Sequence, residues 1–170
     1  LGLLCLGYVH WKMSVDVVIN SKSSEDVIAL VENKRLIELH KEKSNNKYSV
    51  GDIYLGRIKK VMPGLNAAFV DVGYSKDAFL HYLDLGPNFG SLNKYVQGVF
   101  SNKQKNSSLK GFKFEEEINK DGKIAEQLKS NQHVLVQIAK EPISTKGPRL
   151  SSEISLAGRY MVLVPFSNRI

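Results

Sequence analysis

Cysteine and the common catalytic signatures are almost missing from this 170-residue chain. Its one cysteine, Cys5, cannot form an internal disulfide, and the sequence has no CxxC pair or Cys/His cluster of the kind that binds zinc. The four histidines show no HExxH spacing, and there is neither a glycine-rich phosphate loop nor a GxSxG motif. We therefore identify no catalytic residue in the chain, and its single thiol fits a reducing, cytoplasmic setting.

Long apolar runs are also missing. No stretch approaches the ~20 apolar residues that a membrane-spanning helix needs, so we expect no membrane span. The opening LGLLCLGYVHWK is apolar, but no basic stretch precedes it and no small-residue cleavage site follows it. We interpret residues 1–12 as an upstream extension and Met13 as the start of the protein.

Positive charge is in excess. The formal net charge is +7 and the isoelectric point is about 9.4, while 42% of the residues are hydrophobic. The hydrophobic content is enough for a packed core and argues against wholesale disorder. The charge favours a polyanionic partner, either nucleic acid or an acidic membrane surface, although a surplus of solvated lysines explains it as well.

The first part of the sequence is typical of short strands. VDVVIN is β-branched, and VIALVE and RLIELHKE flank an Asn33-Lys34 junction that suits a tight turn. The alternative is one helix capped by Ser24 with acidic residues in its first turn. We favour strands, because the VIALV run has no helical stripe.

The rest of the sequence predicts a mainly β fold with a small closed barrel. IYLGRIKKV and NAAFVDVG flank a Pro63-Gly64 turn, AFL follows, and HVLVQIAK, RLSSEISL and GRYMVLVP complete the strands. Residues 87–130 are rich in Asn, Ser, Gly and Lys, so we predict a loop or partly ordered insertion with a short helix near residues 124–128. Five or so strands, with a long link between the third and the fourth, fit an OB-fold.

Phe69 is the first candidate for binding nucleic acid. Side chains alternate along NAAFVDV, so Ala68, Val70 and Val72 form an apolar face, whereas Phe69 lies on the other face beside Asp71. An aromatic ring on a polar face is what base stacking in an OB-fold requires. The alternative is that Phe69 belongs to the core.

Further candidates are less clearly placed by the pattern. Phe79 lies in a short apolar run, and a core position is the stronger alternative for it, as it is for Tyr54 and Tyr74. Three cations would make a basic rim for phosphates, although any single one is more often a solvated charge: Lys140, Lys146 and Arg149. Gly147 would let the backbone next to Lys146 approach a ligand closely.

These blocks resemble a known family. YLGRIKKVMPGLNAAFVDVGYSKDAFL and VLVQIAKEPISTKGPRLSSEISLAGRYMVLVP are similar to the RNA-binding domain of the ribonuclease E/G family, and the upstream strands resemble its opening. The resemblance covers the chain from Ser14 to its end, except for the insertion. It implies an S-one-type OB domain at residues 47–155, preceded by a β-hairpin from an incomplete RNase H-like subdomain at residues 13–46. Residues 156–170 would begin a sensor for a five-prime monophosphate.

The resemblance also implies roles for residues. Phe69, Phe79 and Lys146 fall on the family's RNA-contacting positions, and Val162 falls on a sensor position near the terminal phosphate. The family cleaves single-stranded RNA with Mg²⁺ and joins subunits through zinc. We expect the metal-binding aspartates, the zinc cysteines and other sensor residues to lie beyond this chain, so that it binds RNA but does not cleave it.

Three function hypotheses follow. The first is the RNA-binding front part of an endoribonuclease that processes rRNA, tRNA and mRNA in the cytoplasm and forms homo-oligomers when intact. The second is a stand-alone OB-fold protein that binds single-stranded RNA without catalysis. The third is a barrel that serves only protein interactions. The reading frame after Ile170 distinguishes the first from the second, and an RNA-binding assay distinguishes both from the third.

Overall fold

The computed structural model describes residues 15–22, 24–43, 47–104 and 108–167. Cys5, Met13 and the proposed extension at residues 1–12 lie outside these ranges. The chain divides into two compact units, Leu1–Lys47 and Tyr48–Ile170. Among the described helices, none is both long enough and apolar enough to cross a membrane.

The first unit contains a three-stranded antiparallel sheet. Its strands are β1 (Val15–Ser21), β2 (Glu25–Glu32) and β3 (Arg35–Lys43), in the order β1-β2-β3. Asn33 and Lys34 both have positive φ angles, 49° and 66°, as the tight hairpin turn requires. The predicted hairpin is thus confirmed, the alternative helix does not form, and VDVVIN adds a third strand.

The second unit is built on a closed five-stranded barrel, which confirms the predicted fold class. In chain order its strands are β4 (Ile53–Met62), β5 (Ala67–Asp71), β6 (Ala78–His81), β7 (His133–Lys140) and β8 (Arg149–Ser151). Their order around the barrel is β4-β5-β6-β8-β7, and β7 pairs again with β4. Only β6 and β8 are parallel among these pairs.

Alternating side chains fill the barrel, since every second residue of a strand points inward. Ile58, Val70, Leu80, Val136 and Leu150 are fully buried there. The inner face of β5 is the predicted Ala68, Val70, Val72 face. The two faces of this strand therefore differ as its sequence pattern indicated.

The insertion is more ordered than its composition predicts. Residues Phe89–Phe100 form a 12-residue helix, α1, where we expected a loop or a partly ordered segment. Phe89, Leu92 and Val96 are the buried apolar residues of α1, at the spacing of one helical face. The predicted short helix is present as α2, Ile124–Gln127. A narrow apolar stripe among polar residues is a weak signal, which explains why the longer helix was missed.

The prediction of two full strands after the loop is wrong. RLSSEISL supplies only the three residues of β8 and then β9 (Leu156–Ala157), and GRYMVLVP supplies only β10 (Val162–Leu163), which pairs with β9. The segment that links β8 to β9 is held to β7 by side-chain hydrogen bonds of Gln137 instead of by strand pairing. The Gln137 amide donates to the carbonyl oxygens of Gly51 and Ser155, each at 2.9 Å, and its oxygen accepts from the Ser155 N–H at 2.9 Å.

Candidate nucleic-acid interface

Five residues form a row of neighbours that crosses all five barrel strands. The strand register aligns them in the order Lys60, Phe69, Phe79, Arg149 and Lys140. Residues that face each other on paired strands have side chains on the same side of the sheet. We call this set the cross-strand row: two aromatic rings at its centre with cations at both ends.

The two rings of the row pack against each other. The Phe69 and Phe79 ring centroids are 6.0 Å apart, and the ring planes meet at 67° in an edge-to-face arrangement. The His81 ring lies 6.4 Å from Phe79 at 32°. Both phenylalanines are partly exposed, and neither belongs to the buried core of the barrel. Their outer surfaces are therefore open to a ligand, while the edge-to-face contact holds their orientation.

Lys146 lies beside these rings in a shallow concavity of about 560 Å³. Its walls are formed by side chains of β5, β6 and β8 together with two loops: Phe69, Lys76, Asp77, Phe79, Thr145, Lys146, Gly147 and Arg149. Two hydrogen bonds position the second loop. The Lys146 N–H donates to the Ile143 carbonyl at 3.0 Å, and the Phe79 N–H donates to the Pro148 carbonyl at 2.9 Å.

The Arg149 guanidinium is already engaged with a carboxylate. It forms a two-point ion pair with Asp84, with 2.9 Å between Nη2 and Oδ2. Asp84 is itself fixed, because its backbone carbonyl accepts from the Ser152 N–H at 2.8 Å and from the Ser151 hydroxyl at 3.1 Å. Arg149 therefore presents to the concavity a cation whose charge is offset by Asp84.

Asp77 is the acidic residue in the wall of the concavity, and its charge is also balanced. Lys59 Nζ lies 2.7 Å from the Asp77 carboxylate. The hydrogen bond to Asp77, followed by the attraction of its charge, raises the pKa of Lys59 above its ordinary value. Lys59 thus stays protonated, and within the described part of the chain Lys76 and Lys146 have no acidic partner.

Two cations of this surface were missed as site residues. Lys60 lies directly opposite Phe69, and Lys76 lines the concavity next to Asp77. Counting residues outward from the Pro63-Gly64 turn places Lys60 opposite Phe69, so a register argument would have found it. Lys140 lies at the end of β7 opposite Arg149 and is exposed, but it does not line the concavity.

Tyr54 and Tyr74 are placed elsewhere, as structural residues. Tyr48 stacks on Tyr54 with centroids 5.1 Å apart and meets Tyr74 edge-to-face at 5.0 Å, and all three pack against the barrel core. The Tyr54 hydroxyl accepts from the Tyr48 N–H at 3.0 Å and donates to Asp52 at 3.3 Å. Burial, together with the negative charge of Asp52, raises the pKa of Tyr54.

Val162 is exposed and lies in β10, where it faces Ala157 of β9. It lines a different depression from the one that holds the aromatic pair. Among the residues that the structure describes, no three His, Cys, Asp or Glu side chains are grouped so as to hold a metal ion. The described residues therefore do not fit a magnesium or zinc site.

No family model matches the chain, but several curated proteins are similar to it. Ribonuclease G from Haemophilus influenzae is 35% identical over 157 residues, which are 92% of this chain and 28% of that protein. Ribonuclease G from Escherichia coli is 33% identical over 158 residues, 93% of this chain and 28% of that protein. Ribonuclease E from Synechocystis is 37% identical over 128 residues, 75% of this chain and 15% of that protein. The chain thus spans less than a third of the length of these relatives.

Proposed function

This chain belongs to the ribonuclease E/G family and matches its N-terminal portion, and we propose that its barrel holds single-stranded RNA for the endoribonuclease. The cross-strand row carries this proposal. Each ring of Phe69 and Phe79 offers a face to a base, and stacking is worth roughly 1–3 kcal/mol per base in such proteins. Lys60 and Lys146 lie where the sugar-phosphate chain on either side of the stacked bases would pass.

Single-stranded RNA fits this surface better than a duplex does. Stacking on a protein ring requires an unpaired base that leaves its neighbours, and a duplex keeps its bases inside. The surface also lacks a deep groove, since the concavity is shallow and lined mainly by the two rings and their flanking loops. We therefore assign bases to the phenylalanines and phosphates to the lysines.

The activity of the intact protein is proposed from its family. Hydrolysis of phosphodiester bonds in rRNA, tRNA and mRNA would be carried out by residues outside this chain. The described residues do not fit a metal site, so no step through Mg²⁺ or zinc is assigned to them. What this chain contributes is retention of the strand, which keeps the scissile region close to the nuclease centre.

Three further assignments follow from the same resemblance and stay predictions. Residues 13–46 would be part of an RNase H-like subdomain, and residues 156–170, with Val162, would begin the five-prime sensor. The intact protein would act in the cytoplasm as a homo-oligomer. The first of these segments contains the sheet β1–β3, and the second contains the short β9–β10 pair.

Binding of a labelled oligouridylate with a five-prime hydroxyl tests the proposal. We expect weak binding whose affinity falls steeply with salt, because phosphate contacts release counterions. Phe69→Ala should lower the affinity by ~1–3 kcal/mol, the worth of one stacked base. Salt-independent binding by the unmodified chain would contradict the assignment.

Tyr160→Ala is the matched control, because it also removes an aromatic ring. Tyr160 is 84% exposed and lies outside the cross-strand row, so its loss should leave the affinity unchanged. Circular dichroism should show that both variants fold. Equal losses in the two variants, or no loss in a folded Phe69→Ala variant, would overturn the role of Phe69.

A further inference from the structure

We propose that a second basic surface, formed by α1 and the insertion, binds the sugar-phosphate chain of the same single-stranded RNA beyond the cross-strand row. This insertion face consists of Lys94, Tyr95, Lys103, Lys110, Phe112 and Lys113. It rests on the proposed function, since it assigns a longer path to RNA held by the barrel. The residues line a concavity of about 600 Å³.

Uncompensated charge is the first argument. The described residues 101–104 and 108–113 carry three lysines, Lys103, Lys110 and Lys113, and no acidic residue. Lys94 is neutralised, because it pairs with the Glu115 carboxylate and also donates to the Lys113 carbonyl at 2.9 Å. Within the described ranges no ion pair or side-chain hydrogen bond is formed by the ammonium groups of Lys103, Lys110 and Lys113. Clustered cations of this kind attract a polyanion, and phosphates spaced along a strand match several of them at once.

Fixed aromatic rings are the second argument. Phe112 meets Tyr95 with centroids 6.1 Å apart at 69°, and both rings also pack on Phe166, at 5.8 and 5.7 Å. Lys94 Nζ lies 5.7 Å from the Phe112 centroid. Tyr95 and Phe112 are partly exposed beside the lysines. Basic residues interleaved with rings are typical of surfaces that bind single-stranded nucleic acid, whereas a surface that attracts an anionic membrane needs only charge and apolar area.

Hydrogen bonds fasten the segments of the insertion face to α1. The Ser91 hydroxyl accepts from the Glu115 N–H at 2.9 Å, which fastens the extended segment that carries Phe112 and Lys113 to α1. At the other end, the N–H groups of Lys103 and Gln104 both donate to the Gly98 carbonyl, at 2.9 and 3.0 Å. The lysines are therefore presented from segments anchored on the helix.

The position of α1 sets the length of RNA required. The Gln97 amide donates to the His133 carbonyl at 3.0 Å, so the end of α1 is bound to the start of β7. Lys140, at the end of the cross-strand row, closes the same eight-residue strand. The two ends of β7 are roughly 23 Å apart at 3.3 Å per residue. An oligonucleotide that fills only the aromatic pair is too short to reach the insertion face.

A comparison of two probe lengths tests the proposal. We would prepare the triple variant Lys103→Gln, Lys110→Gln and Lys113→Gln, and measure its affinity for oligouridylates of about 4 and about 16 nucleotides, the two ends of the range of OB-fold site sizes. Affinity for the long probe should fall at least about tenfold, and its log–log salt slope should shrink by about 2, from ~0.7 per lost phosphate contact. Affinity for the short probe should not change.

The control variant removes three other exposed lysines of the same unit: Lys120→Gln, Lys123→Gln and Lys129→Gln. It should bind both probes like the unmodified chain. Equal losses in the two triple variants, or an unchanged long-probe affinity in the first, would overturn the insertion face. So would an intact affinity for long RNA together with lost binding to phosphatidylglycerol vesicles, which would assign the lysines to a membrane.

Failure of the proposed function gives a different result. If the barrel does not bind RNA, the short probe fails to bind the unmodified chain, and Phe69→Ala changes neither probe. If only the insertion face is wrong, the short probe still depends on Phe69 and the lysine triple has no effect. The two outcomes are thus separated by the same titrations.

Discussion

The backbone of Gly147 packs directly against that of Asp77: a Cβ atom at position 147 would lie 2.1 Å from the Asp77 carbonyl oxygen and 3.0 Å from that of Lys76. Real Cβ atoms do not come this close to backbone, so only glycine fits without a shift. The contact ties the loop that carries Lys146 to the segment that leads into Phe79. One glycine thus fixes the spacing between the loop of Lys146, which we propose binds phosphate, and the segment of Phe79, which we propose stacks on a base.

Gly147→Ala should separate these two segments. We expect a loss of about 1–3 kcal/mol in the free energy of unfolding, the usual cost of forcing an extra carbon into a packed site. RNA affinity should also fall, because Lys146 moves away from Phe79. Urea unfolding and RNA titration measure the two effects.

Gly64→Ala is the matched control, because nothing lies within 4 Å of a Cβ at that position. It should change neither the unfolding free energy nor the affinity by a comparable amount. A Gly147→Ala variant as stable as the unmodified protein would show that the loop shifts without cost. The close approach of residue 147 to Asp77 would then not require glycine.

Lys146 and Arg149 should differ in their contribution to RNA binding. Lys146→Gln removes an ammonium group with no acidic partner in the described structure, so the salt slope should shrink by about 0.7. Arg149→Gln removes a cation whose charge Asp84 already offsets, so the slope should change by clearly less. Titrations at several salt concentrations give both slopes, and a larger change in Arg149→Gln would refute this ranking.

Local pattern was enough to predict the face of β5 that carries Phe69. Alternation along a strand assigns Ala68, Val70 and Val72 to the core and leaves Phe69 on the other face, as found. The number of barrel strands and the long link before β7 could be predicted for the same reason, since strands and turns are short-range features.

Pairing over long separations could not be predicted in this way. Asp84 and Arg149 are 65 residues apart, and nothing near either residue indicates that they form an ion pair. The helix α1 was missed because Phe89, Leu92 and Val96 are its only buried apolar residues among polar ones. Its stability comes from packing on the rest of the unit rather than from propensity, which a local pattern does not show.

Tyr82 should make folding sensitive to alkaline pH. Burial is the main cause that raises its pKa, and the negative charge of Glu126 adds to it. The unfolded chain ionises this tyrosine near pH 10, whereas the folded protein keeps it protonated. Its stabilising contribution is therefore fully present below about pH 10 and is lost as the pH rises through the higher folded pKa.

Tyr82→Phe measures this contribution. The Tyr82 hydroxyl donates to the Asn119 carbonyl, so the variant should lose about 1–2 kcal/mol at pH 7. The difference from the unmodified protein should shrink above pH 10, as seen in urea unfolding at both pH values. Tyr160→Phe, at an exposed position, should show no difference at either pH. A constant difference across this range would contradict the raised pKa of Tyr82.

The chain should bind RNA without cutting it, even with Mg²⁺ present. From the resemblance to the family we expect the aspartates that hold the catalytic metal to lie outside this chain, and hydrolysis needs a metal-activated water that binding residues do not supply. We expect a long single-stranded RNA to stay intact, while ribonuclease G from Haemophilus influenzae degrades it in the same buffer. Gel analysis over time measures this. Cleavage that persists in Phe69→Ala would come from a contaminating nuclease, because it would not depend on the RNA surface of this chain. Cleavage that requires Mg²⁺ and disappears in Phe69→Ala would show that catalytic residues are present after all.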